Sequence, residues 1–210
     1  RLQGDWSSDV CSSDLNVYGI PSWQIGYFNE CMSGFEHQAA SHMIAEGMVL
    51  EGFAVTRAIH DRYHAKRRNP FNEIECSDHY ARAMASYGSF ISACGFESHG
   101  PNGRIAFAPR LTPEHFRAPF TVAGGWGTYE QKRASEKQTH RIEMKFGKTE
   151  VRALGLEIAA NASVKRVTAM LGGVAKPAQV HQDGARVEVQ FAERLTIPAG
   201  AALEVMLEVG

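Results

Sequence analysis

Residues Arg68 to Met84, RNPFNEIECSDHYARAM, gather three carboxylates, a histidine and an arginine within a short span where a turn gives way to an apolar helical pattern. Asn72 with Glu75 three residues on fits a capping box. Glu73, Glu75 and Asp78 all fall where the positive end of a helix favours negative charge. Asp78 and Arg82 are spaced i, i+4 in the favourable orientation, and His79 stands beside them. On pattern alone the structural account, a helix start and its ion pairs, stands ahead of a functional one, since clustered charges are often only ion-pair networks.

Other constellations are weaker. His60 and His64 have the i, i+4 spacing of helical zinc sites, but no H-E-x-x-H pattern surrounds them. His37 and His42 fall on different helical faces. The segment GGWGTYE carries Trp126, which can stack on a sugar or anchor a glycine-rich connector. Cys31, Cys76 and Cys94 show no C-x-x-C spacing, so neither a zinc site nor a disulfide framework is indicated, and unpaired thiols fit a reducing compartment. No P-loop, dinucleotide fingerprint or G-x-S-x-G motif occurs, and the expectation is no cofactor and no metal.

The composition narrows the function classes. The 210 residues are 44% hydrophobic with a formal net charge of -1, which is a globular composition. The 22 basic and 23 acidic residues are interspersed, and no basic run alternates with aromatics, so no nucleic-acid partner is expected. No run of 18 apolar residues is present, so these residues hold no transmembrane helix. Asp5 to Leu15, DWSSDVCSSDL, has no amphipathic period and resembles a translated sequencing-library adapter. Residues 1–15 are therefore set aside as an artefact, Cys11 with them, and the natural protein is expected to extend further upstream.

The elements around the charged segment follow from periodicity. Between Gly34 and His64, apolar residues recur at steps of three and four. This predicts one long helix, or two pieces broken at Gly47 or Gly52. AKRRNPFN is a breaker, with Pro70 forcing Asn69 out of the helical region. A further helix is predicted from Ser77 to Cys94, with an apolar stripe of Tyr80, Met84, Tyr87, Ile91 and Cys94. Its narrow polar stripe is Asp78, Arg82, Ser86 and Ser89. Beyond that the period falls to two in THRIEMKF, EVRALGLEIA, SVKRVTAML, ARVEVQF and ALEVMLEV, and Asp183-Gly184 marks a hairpin.

The segments GFEHQAASHMIAEGM, RAIHDRYHAKRRNPFNEIECSDHYARAMASYG and AFAPRL together resemble the β-glucosidases and non-lysosomal glucosylceramidases of glycoside hydrolase family 116, over about residues 34 to 130. The resemblance implies the end of an (α/α)6 helical barrel over 16–103 with a connector packing on the barrel over 104–138; the period-two alternation adds a β-rich antiparallel sheet or sandwich module over 139–210, so an α+β chain is expected. It implies a retaining β-glycosidase acting on β-glucosides or glucosylated lipids. Its substrate would be a small glucoside or glycolipid.

In that family a Glu and an Arg at this spacing hold the far side of the glucosyl ring, and the matching residues are Glu73 and Arg82. A carboxylate accepts from sugar hydroxyls and a guanidinium donates to their oxygens, so the pair can grip neighbouring hydroxyls. Glu36, in GFEHQ, matches a third pocket carboxylate. Glu75, Asp78 and His79 would hold Arg82 and the helix start. A retaining enzyme also needs two carboxyl groups about 5 Å apart. In the family both precede the segment seen here, so no catalytic residue is assigned and the chain by itself is expected to be inactive. The other function class is a non-catalytic carbohydrate-binding or assembly module built on the β-rich tail.

Overall fold

The computed structural model describes residues 32–66 and 82–210. The chain divides into two compact units, one running to Ser92 and the other from Ala93 to Gly210.

In the first unit the predicted long helix is two, α1 (Ser33–Ala45) and α2 (Val49–Arg62). The break falls at Gly47, whose φ of 89° is open to glycine and costly for other residues. The two helices form a hairpin, with the last turn of α2 beside the first turn of α1. They approach closely at Gly52, where a Cβ would stand 2.6 Å from Ile44 Cγ1 and 2.7 Å from the Ala40 carbonyl. A third helix, α3 (Ala83–Cys94), follows. Its stripe is not the expected one: Met84 and Tyr87 are exposed, while Ser89 is buried. The small Ser89 side chain faces α2, where its hydroxyl lies 3.4 Å from Thr56 Oγ1.

These helices do not make the end of an (α/α)6 barrel. Among the described residues there are three α-helices, one short 3-10 helix (Gly100–Asn102) and ten strands, and most of the ordered backbone is sheet. The expectation of a helical barrel rested on the family resemblance, whereas the period-two pattern occupies more of the chain than the helical one. The sheet is also mixed rather than purely antiparallel, because β2 runs parallel to β5.

The strands are β1 (Glu97–His99), β2 (Arg104–Ala106), β3 (His115–Val122), β4 (Gly125–Arg133), β5 (Lys137–Glu157), β6 (Val164–Leu171), β7 (Val174–Ala175), β8 (Ala178–Asp183), β9 (Arg186–Pro198) and β10 (Ala202–Val209). Residues 104–138, expected as a connector, thus supply three strands. β5 joins what the sequence pattern divides into two strands. Its first half lies in a sheet of order β3-β4-β5-β10-β6-β7, and its second half lies in a sheet of order β1-β2-β5-β9-β8. The change of sheet comes at Gly147, with φ 68° and a neighbouring backbone so close that a Cβ would stand 2.0 Å from the Gly124 carbonyl.

Both sheets turn alternate residues onto one shared core. Ile142 and Met144 come from the first half of β5, Leu154 and Leu156 from its second half, Val187 and Val189 from β9, and Leu203, Val205 and Leu207 from β10. Each such side chain contributes about 1.5–3 kcal/mol on burial. Aromatic packing closes one end: Phe107 stacks on Tyr129 with centroids 3.8 Å apart, and Phe120 meets Phe107 edge-on at 5.5 Å. The arrangement is a β-sandwich. At the predicted hairpin, Asp183 pairs with Arg186 across Gly184 and Ala185. Among the described residues no helix is long and apolar enough to cross a membrane.

Candidate functional site

Glu73, Glu75, Asp78 and His79 lie outside the described residues. Glu36 and Arg82 are described, and both come to the first turn of α1. Glu36 is carried by that turn. Arg82 precedes α3 and lays its stem on Gly34, where a Cβ would be 3.2 Å from Arg82 Cδ. The missing side chain at Gly34 is what lets the guanidinium stem approach the helix so closely.

Glu36 already has a partner that the sequence reading did not single out. The Arg62 guanidinium forks onto its carboxylate, Nη1 donating to Oε1 at 3.1 Å and Nη2 to Oε2. Both groups are part-buried, so this is a charge-assisted pair screened only in part by solvent. Two arginines thus approach the first turn of α1, Arg62 at the Glu36 carboxylate and Arg82 at Gly34. A carboxylate and guanidiniums are the acceptor and directional donor types that a polyhydroxylated ligand needs. Arg62 could have been found from the sequence by folding the 34–64 pattern back on itself at Gly47, which sets the last turn of α2 against the first turn of α1.

The histidines take separate environments. His37 is buried and His42 exposed on α1, while His60 and His64 are exposed. Among the described residues no group of three or more His, Cys, Asp or Glu side chains is placed to hold a metal ion. Cys94 is buried, and burial pushes its thiol up to about 11, which leaves it protonated and unreactive at neutral pH.

In the sandwich the shifted carboxylates are ion-pair members. The Lys145 ammonium, with Arg141, holds Glu143 below the usual carboxylate range. Hydrogen bonds from Gln190 and Arg104 do the same for Glu188. Both are ionised at neutral pH, so neither is suited to donate a proton as an acid catalyst would.

No family model matches the chain, and no curated protein does. Among solved structures it is similar to α-L-rhamnosidase from Dictyoglumus thermophilum, with a TM-score of 0.34 and 10% identity. That likeness covers 65% of this chain and 15% of the rhamnosidase. A likeness of this size carries no inference about site or activity.

Proposed function

We propose that this chain is part of a larger glycoside hydrolase acting on β-glucosides or glucosylated lipids. In this reading Arg82 and Glu73 hold the glucosyl ring, Glu36 assists, and the nucleophile and acid/base come from residues preceding those seen here. Glu75, Asp78 and His79 position Arg82 and the helix start. The supporting observation is that Arg82 lies on Gly34 in the first turn of α1, the same turn that carries Glu36, the two residues having been matched separately to the family's pocket. Arg62 then has a role of its own: it fixes the Glu36 carboxylate, leaving that group's free lone pairs for a hydroxyl donor.

The test uses the untruncated enzyme. Arg82→Ala removes charge-assisted hydrogen bonds of about 1.5–3 kcal/mol each. Because binding energy remote from the reacting bond also positions the sugar, kcat should fall together with affinity, with a loss in kcat/KM on the order of 10- to 100-fold. Arg82→Lys should rescue little, since a point charge does not reproduce the planar fork. Near-normal kcat/KM in folded Arg82→Ala would remove the basis of this reading, as would release of aglycone from an aryl β-glucoside by the 210-residue chain alone.

A further inference from the structure

The outer face of the first sheet bears side chains that the core does not use. Strand pairing arranges them in rungs. One rung is Lys132, Thr139, Met206 and Thr168, and the next is Glu130, Arg141, Glu204 and Met170. Then come Thr128 and Glu143, and last Trp126 and Phe146. The first two rungs line an open cavity of about 350 Å³, with Met170 and Met206 as apolar contacts and Thr139, Thr168, Glu130 and Lys132 among the polar ones. This lies within the ordinary size range of small-ligand sites.

At the other end a bulge decides the geometry. The register skips Lys145, so that Phe146 comes opposite Trp126. The two rings are 66% and 48% exposed respectively, abreast on neighbouring strands. From Glu130 to Trp126 is four residues of strand, about 13 Å at the usual rise. Cavity and aromatic pair thus form the ends of one track.

Apart from Lys132 at the cavity, the charges along the track are paired. Arg117 Nε is 3.0 Å from Glu130 Oε1, Arg141 contacts both Glu204 and Glu143, and Lys145 contacts Glu143. A ligand charged along its whole length would have to break these pairs. A neutral one with many hydroxyls can share their donors and acceptors, while its apolar C–H faces lie against indole and phenyl rings. We infer that this face binds a neutral oligosaccharide, with one pyranose unit in the cavity and the rest running along the rungs to stack on Trp126 and Phe146. The inference rests on the sandwich alone and stands apart from the hydrolase reading of the helical unit.

The experiment titrates the full 210-residue chain with cellohexaose, laminarihexaose, maltohexaose and, as an anionic control, hexagalacturonate, followed by calorimetry. Saturable binding of at least one neutral hexasaccharide is expected. Trp126→Ala at one end of the track and Thr168→Tyr in the cavity should each weaken it by about tenfold or more. Equal thermal midpoints for variants and parent establish that they are folded, and the exposed Phe146→Ser substitutes for any variant that is not. Failure of every neutral sugar to bind at millimolar ligand, unchanged affinity in the variants, or preference for hexagalacturonate would each overturn the inference. So would self-association lost in Trp126→Ala without any sugar binding, which would assign the face to a protein contact.

Discussion

Tyr129 Oη lies 2.8 Å from His140 Nδ1 and 2.8 Å from Gln131 Oε1, inside the core of the sandwich. Gln131 Nε2 donates to the Pro113 carbonyl at 2.7 Å, so its oxygen is the acceptor left for the Tyr129 hydroxyl. The tyrosine oxygen then accepts from Nδ1–H of His140. This tautomer leaves a lone pair, rather than an N–H, at the buried Nε2, which has no hydrogen-bond partner. Burial, with Arg133 nearby, lowers the His140 pKa to about 3.

The pH dependence follows with a definite sign. Between the ordinary histidine value of about 6.5 and the folded value of about 3, the unfolded chain binds a proton that the folded one does not. His140 therefore costs stability as pH falls through this window, by up to about 1.4 kcal/mol per pH unit, and nothing above it. His140→Gln keeps a hydrogen-bonding side chain and cannot titrate. Denaturant melts from pH 7 to 4 should show a shallower fall for His140→Gln than for the parent; parallel curves would contradict the burial argument.

Gly147 and Gly184 separate two costs of a missing side chain. Both have positive φ, but a Cβ at Gly147 would stand 2.0 Å from the Gly124 carbonyl, whereas nothing lies within 4 Å of one at Gly184. Gly184→Ala should cost only the left-handed backbone penalty, about 1–2 kcal/mol. Gly147→Ala must in addition displace the β3–β4 turn, and its loss in chemical-denaturation free energy should exceed that of Gly184→Ala clearly.

Phe107→Ala removes the ring stacked on Tyr129 and flanked by Phe96 and Phe120. A cavity of that kind in a closed core costs about 3–5 kcal/mol. A drop in denaturation midpoint with little change in m-value is the expected result.

The Arg62–Glu36 pair predicts a coupling within the helical hairpin. Because both side chains are part-exposed, the coupling in a double-mutant cycle of Arg62→Ala and Glu36→Gln should be about 1 kcal/mol rather than the several of a buried pair. Amide exchange in α1 and α2 is the measurement, and additive effects would show the pair to be energetically idle.

Much of the sandwich could be read from alternation. In β9 and β10, Val187, Val189, Leu203, Val205 and Leu207 all point inward, and Gly47 broke the first helix at one of the two expected positions. The rest depends on partners far apart in the chain. β3 and β4 are punctuated by Pro119, Gly124, Gly125 and Gly127, which read locally as a connector. Pro119 is tolerated because β3 is an edge strand, and Gly127 because a Cβ there would strike the Glu143 carbonyl. The parallel pairing of β2 with β5 has no local signal at all. In the candidate site Glu36 and Arg82 were named from resemblance, but Arg62, 26 residues from Glu36, was not, since a helix face does not announce what will pack on it.

The length of β5 has a consequence for how the sandwich opens. One strand supplies pairing groups to β4 and β10 in one sheet and to β2 and β9 in the other. Neither sheet can peel away without unzipping the backbone that the other uses. The sandwich should lose amide protection as a single block, with no half-open species, and its folding should wait on the distant pairing of β9 and β10 with a strand synthesised well before them.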